Sequence, residues 1–159
     1  MFLYIFWSFF SVLILMALWL GYKIAKTDMR RRIIPDGYLF PLLIIGIVIT
    51  TFFPWPTRIE SGALGMAFGY ILSATIGIIY DKILTHKNPK SESPIGMGDI
   101  KLISVGGLWC GPTGLAISLA LACIFGAIWA YNKKQNFIPF APFFIIGGIL
   151  SLIIITFLL

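Results

Sequence analysis

The stretch GMGDIKLISVGGLWC, residues 96–110, decides the fold, because counting or omitting it as a membrane-spanning segment reverses the sidedness of everything that follows. From Asp99 to Cys110 a helix covers only about 18 Å at about 1.5 Å per residue, less than the roughly 30 Å hydrocarbon core of a bilayer. It reads as a short or broken helix, and the segments around it determine whether it counts.

Those segments are strongly apolar. Of the 159 residues, 59% are hydrophobic and 16% aromatic, and the mean hydropathy is +0.97, whereas a soluble domain is about 45–50% apolar. The expectation is an all-α, polytopic membrane protein with about six transmembrane helices, near residues 3–25, 37–53, 62–81, 99–110, 113–131 and 138–158. Residues 1–159 read as a single integral-membrane domain. The first run, Phe2 to Gly21, lacks the basic start and small-residue cleavage site of a secretory signal and reads as a retained helix.

The charge pattern supplies the orientation. Twelve Lys and Arg against six Asp and Glu give a net charge of +6, but the basic residues cluster between apolar runs instead of forming a nucleic-acid-binding stripe. Lys23, Lys26, Arg30, Arg31 and Arg32 flank the first turn, Lys82, Lys87, Lys90 and Lys101 the third, and Lys133 and Lys134 the fifth. Only Arg58, close to Glu60, falls on the opposite side. The positive-inside rule makes the crowded side cytoplasmic and puts both termini outside. Omitting residues 96–110 would move Lys133 and Lys134 across the membrane, so the asymmetry supports counting them. Trp55, Trp109 and Trp129 with Tyr131 read as interfacial markers, and Gly62, Gly65 and Gly69 as helix-packing positions.

Cys110 and Cys123 form no CxxC pair and read as small apolar packing residues. His86 is the sole histidine, so no multi-histidine metal centre is available, and no metal or cofactor is expected. The chemistry rests on carboxylates. Asp28 follows the first helix and Asp99 opens the fourth segment, both on the cytoplasmic side, and ionisable residues at membrane depth are costly enough to mark function. Two carboxyls that share one proton can activate water and protonate a leaving amine, because they cannot both ionise in close contact. Gly96 and Gly98 permit a sharp backbone turn and close approach to an extended substrate. Taken alone, Asp99 fits helix capping as well as catalysis.

Asp28-Met29-Arg30-Arg31-Arg32-Ile33-Ile34-Pro35-Asp36 supplies an Asp upstream of Arg-x-Ile-Pro, and Gly96-Met97-Gly98-Asp99-Ile100-Lys101 a Gly-x-Gly-Asp followed by Lys. In both motifs the chain resembles the type IV prepilin peptidases, polytopic membrane aspartic proteases of the GxGD type. The likeness runs over nearly the whole chain, as far as Ile138-Pro139-Phe140-Ala141-Pro142-Phe143, which is similar to the start of that family's last helix. More distantly, the motif is similar to that of presenilin-type proteases. The resemblance implies that Asp28 and Asp99 are the catalytic pair, with Gly96 and Gly98 shaping the loop. It further implies an endopeptidase that cuts basic leaders from prepilins or pilin-like secretion subunits. The setting it implies is a prokaryotic inner membrane, in company with pilus or secretion assembly machinery and without nucleic acid, as a monomer or an oligomer. Many members carry an N-terminal region with paired CxxC motifs associated with N-methylation; this chain has no CxxC, so methyltransferase activity is not expected.

The other charged residues have plainer readings. Asp36 suits a helix N-cap or turn, Asp81 a paired interfacial charge, and Glu92 a solvated loop; if the leader binds near the pair, these three are the candidates to contact it. Lys101 is a possible supporting residue, although positions two apart on a helix do not face each other, and a topology or lipid role is preferred. The Arg30–Arg32 cluster suits anionic lipid. The alternatives from other classes are a small proton- or cation-coupled transporter and a non-catalytic assembly scaffold, in which the two acids serve as ion sites or as caps.

Overall fold

A computed structural model describes residues 2–53, 55–87, 95–134 and 138–158. Regular structure among them is entirely helical: α1 (Phe2–Arg31), α2 (Asp36–Phe52), α3 (Ile59–Lys87), α4 (Met97–Lys133) and α5 (Phe140–Leu158). Four of these are long and apolar enough to cross a membrane, while α2 is a shorter apolar helix. The all-α membrane architecture is as expected, but in place of about six transmembrane helices there are five elements among the described residues, because two of the expected segments share α4. The fourth and fifth expected segments both fall within α4 and meet at Gly111, whose backbone is non-helical. Glu92, Pro89 and Pro94 lie outside the described residues.

Within α4, however, the chain reverses. On α5, Phe144 covers Gly106 and Gly148 lies by Cys110, so residues 97–110 run parallel to α5. Gly126 abuts Phe143, Gly147 the Ser118 carbonyl and Gly114 the Ile155 methyl, so residues 112–133 run antiparallel to it. Ile103 and Leu115 both touch Gly69 of α3, though on a straight helix they would stand about 18 Å apart. α4 is thus a hairpin of two arms. Gly111 makes the turn with φ 66° and ψ 179°, a region essentially reserved for glycine. Pro112 then opens the second arm with a φ already suited to a helix start.

The first arm is pinned by α3. Gly65 and Gly107 approach so closely that a Cβ on either would overlap the other's carbonyl oxygen, and one on Gly62 would meet the Leu108 carbonyl. The packing role expected for these α3 glycines is what the contacts show. Ser104 Oγ donates to the Met66 carbonyl at 3.1 Å, and between the second arm and α5 the Ser118 and Ser151 hydroxyls are 2.9 Å apart. Such close packing and polar contacts hold helices together where lipid removes the hydrophobic drive between them. Large apolar residues such as Leu15, Ile71 and Ile78 remain exposed, as a lipid-facing surface requires.

Several boundaries differ from expectation. α1 continues past residue 25 to Arg31, so Asp28 lies inside its last turn instead of after it. Lys and Arg are good helix formers, and their ammonium groups fold back over rings of the previous turn, Lys23 over Trp19 at 5.1 Å and Lys26 over Tyr22 at 5.4 Å. α3 likewise passes Asp81 and runs on to Lys87. Trp109 is not an interfacial marker: it is half-buried, and its indole N–H donates to the Leu42 carbonyl at 3.3 Å. Cys123 is exposed, while Cys110 is buried.

Arg32 ends α1 in the left-handed region, with φ 54°, and its N–H donates to the Asp28 carbonyl at 2.9 Å. Ile33 and Ile34 then lead to Pro35, the extended N-cap of α2. This short link folds α2 back along α1 and brings their joined ends to the same face as the starts of α4 and α5.

Replacing Gly111 with Ala should destabilise the protein by about 1–3 kcal/mol, the cost of a strained backbone position, because the added Cβ also meets Ser61 Oγ at 2.7 Å. Thermal unfolding in detergent checks this; an unchanged melting temperature would contradict the hairpin.

Candidate active site

Four helix ends build the site. The last turn of α1 carries Asp28, the first turn of α2 Asp36, and the first turn of α4 both Asp99 and Lys101, while α5 contributes its N-terminus.

Asp28 is 5% exposed. Its Oδ2 accepts the Ala141 N–H at 2.9 Å, and the Phe140 N–H also donates to its carboxylate. Both amides belong to the first turn of α5, where backbone N–H groups have no helical acceptor and the helix dipole is positive. A helix N-terminus is a ready-made carboxylate site. The Arg32 charge also acts on Asp28, so the left-handed residue that ends α1 adds a cation beside the acid.

Asp99 occupies the third helical position of α4 and accepts the Gly96 N–H through Oδ2 at 3.3 Å. Capping and chemistry are therefore not alternatives at this residue. The remaining turn is tight, with Asp99 N–H donating to the Gly96 carbonyl at 3.0 Å. Asp28 and Asp99 lie near enough for direct charge repulsion. Two neighbouring carboxyls that feel each other's charge titrate as a pair.

The two glycines of the motif serve close approach. A Cβ on Gly98 would stand 3.0 Å from Ile34 Cβ, and one on Gly96 would stand 3.3 Å from Asp99 Oδ2. Ile34 is buried, so the segment after α1 packs directly on the loop that carries Asp99.

Lys101 finds a partner that the sequence reading did not connect to it. Its Nζ donates to Asp36 Oδ1 at 2.9 Å and to Oδ2 at 2.8 Å, tying α4 to α2 beside the aspartates. Asp36 is not the N-cap, a place taken by Pro35 without a side-chain hydrogen bond. Asp81 lies on an exposed part of α3 and has interactions of its own. Sequence reasoning also missed the α5 amides and Ile34. The signal for the amides was the Pro139–Pro142 string, since proline before and within a first turn marks a helix start whose N–H groups are available.

Both members of the Asp36–Lys101 pair are over a third exposed, so its coupling should be about 0.2–1 kcal/mol. A double-mutant cycle with Asp36→Asn and Lys101→Met, read by melting temperature, checks this; a larger coupling would mean that the pair is shielded from water in the bilayer.

The type IV leader peptidase family model matches residues 11–131. Among curated proteins, the chain is 31% identical over 131 residues to the "Prepilin leader peptidase/N-methyltransferase" of Xanthomonas campestris pv. campestris, covering 76% of this chain and 42% of that protein. The protein of the same name from Aeromonas salmonicida is 26% identical over 154 residues, 92% of this chain and 50% of its own length. That of Pseudomonas aeruginosa is 27% identical over 133 residues, with 79% and 43% covered. The chain spans about half the length of the curated relatives it matches. No solved structure matches. The matched residues include Asp28, Asp99 and the whole hairpin turn at Gly111, and the chain belongs to the type IV leader peptidase family.

Proposed function

We propose that residues 1–159 form one integral-membrane aspartic endopeptidase domain that removes the basic leader from type IV prepilins or pilin-like secretion subunits. The observation that carries this reading is that the two family motifs come to one end of the bundle, where the Asp28 charge acts on Asp99. The pair takes up a water and shares one proton: the ionised carboxylate draws a proton from the water as it attacks the scissile carbonyl. The protonated partner polarises that carbonyl and then gives its proton to the leaving amine. The roles belong to the pair as a unit.

The remaining residues act by position. The α5 amides hold Asp28, the Gly96 N–H holds Asp99, and Gly96 and Gly98 let the loop that carries Asp99 pack closely on itself and on Ile34. Lys101 supports the arrangement through Asp36. The clustering of basic residues at this end supports a cytoplasmic active site, both termini outside, in a prokaryotic inner membrane. There the chain would work alongside pilus or secretion assembly machinery. A transporter would want its carboxylates near the bilayer midplane, whereas these lie in a last and a first helical turn.

Co-expression with a prepilin, followed by mass spectrometry of the prepilin N-terminus, tests the reading. Asp28→Asn and Asp99→Asn should each lower cleavage by at least about 10²-fold, the usual contribution of acid–base groups, with membrane insertion intact. Cleavage retained by either variant sinks the dyad.

A second outcome concerns the loop. Gly98→Val should press on Ile34, displace Asp99 and reduce cleavage about tenfold. Adding Ile34→Ala, which vacates the contacted side chain, should recover part of the loss; no recovery would mean that Gly98 acts through something other than this contact.

A further inference from the structure

An apolar groove of about 560 Å3 lies between α1, the first arm of α4 and α5. Its α1 wall includes Ile14, Ala17, Gly21 and Ala25. These are spaced by three, four and four residues and so share one helical stripe, and the next step of three reaches Asp28. On the first arm of α4 the groove is lined by Leu102, Gly106 and Trp109, and one step of three back from Leu102 is Asp99. The α5 wall runs through Pro142, Ile146, Ile149 and Ile153; it starts at the residue after Ala141, whose amide holds Asp28. All three stripes therefore lead out of the groove onto the two carboxylates.

The geometry points to the groove as the seat of the substrate's own apolar helix, which enters sideways from the bilayer and delivers the peptide bond beyond its end to Asp28 and Asp99. This rests on the peptidase reading and adds where the membrane part of the substrate is held. From Ile14 to Ala25 the wall is about 17 Å long, or about three helical turns. Ala25, partly exposed near the carboxylate end of the groove, is small where a second helix would need to come close, while Leu15 and Trp19 on the neighbouring α1 surface are large and exposed. Trp55 and Pro56 line the end away from the carboxylates, and the Trp55 indole is tied to Thr156 Oγ1 at 3.1 Å. A wall at the end away from the carboxylates fixes how far a helix can slide, and with it which bond meets the pair.

The test uses the full chain in proteoliposomes with an intact prepilin. A photoreactive benzoylphenylalanine at Leu18 or Ile149, in an Asp28→Asn background, should cross-link to residues within the prepilin's apolar helix; the same probe at Ile78 on the exposed face of α3 should not. Separately, Ala17→Leu and Ala25→Leu should each raise KM for intact prepilin about tenfold, with a smaller change in kcat. They should also abolish the preference of the native chain for intact prepilin over a leader peptide lacking the helix. Cross-links to lipid alone or to a second copy of the chain, equal cross-linking from Ile78, or a preference that survives both substitutions would overturn the assignment. If the native chain cleaves intact prepilin while these outcomes occur, the groove alone fails. If it cleaves no prepilin, the peptidase reading falls and the groove assignment with it.

Discussion

Gly111 turns α4 back on itself beside Ser61, and the arrangement at the carboxylate end depends on that reversal. The first arm has only residues 97–110, about 21 Å of helix, and both of its sides are occupied. Backbone meets backbone at Gly65 and Gly107 on the α3 side, and Phe144 covers Gly106 on the α5 side. An arm clamped in this way cannot slide without steric overlap, because packed interiors accommodate discrete arrangements and not continuous drift. The depth of Asp99 in the membrane is therefore set by contacts on the arm that carries it. The second arm returns the chain to the carboxylate end, where α5 begins next to Asp28.

The aspartates repel each other, so their meeting has to be offset locally. For Asp28 the offset comes from two amides at the start of α5 and from Arg32; for Asp99 it comes from the Gly96 amide at the start of α4. Each acid thus sits at the positive end of a helix dipole. Apart from Arg32, the offset comes from amides, which position a carboxylate without contributing a full counter-charge. The nearby lysine is instead engaged by Asp36.

Much of this was legible in the sequence, for physical reasons that differ by element. The apolar runs showed themselves because a lipid-facing helix must be apolar over its whole length. Asp28 and Asp99 stood out because charge is rare in such runs, and the glycines of α3 because small residues in a membrane helix signal close packing. What stayed hidden depends on tertiary contact. The charges called for two oppositely directed segments over residues 99–131, but the short first arm and its sharp reversal rest on the φ of Gly111, which a Gly-Pro pair permits but does not dictate. The end of α1 was misjudged since hydropathy stops at the membrane while the helix continues through Lys23, Lys26 and Asp28. The pairing of Lys101 with Asp36 spans 65 residues, and no local pattern announces it. The donors to Asp28 are backbone amides, which every residue but proline carries, so only the fold could select those of Phe140 and Ala141.

The position of the acids within α1 and α4 also follows from the competing demands of two solvents. From Phe2 to Asp28 the helix is about 39 Å long, more than the roughly 30 Å hydrocarbon thickness, so a fully inserted α1 carries its last turn to the water-accessible boundary. A carboxylate one or two turns deeper would lose the water that the proposed chemistry consumes and would also lose its donors, because mid-helix amides are already bonded within the helix. One placed several residues later would leave the rigid helix for the loop at Arg32 and lose the precision that the α5 contact imposes. The last turn of α1 satisfies all three requirements of water, free backbone donors and rigidity. The first turn of α4 satisfies them from the opposite chain direction, and because α1 and α4 both pack on α2 and α5, Asp28 and Asp99 come to the same end of the bundle.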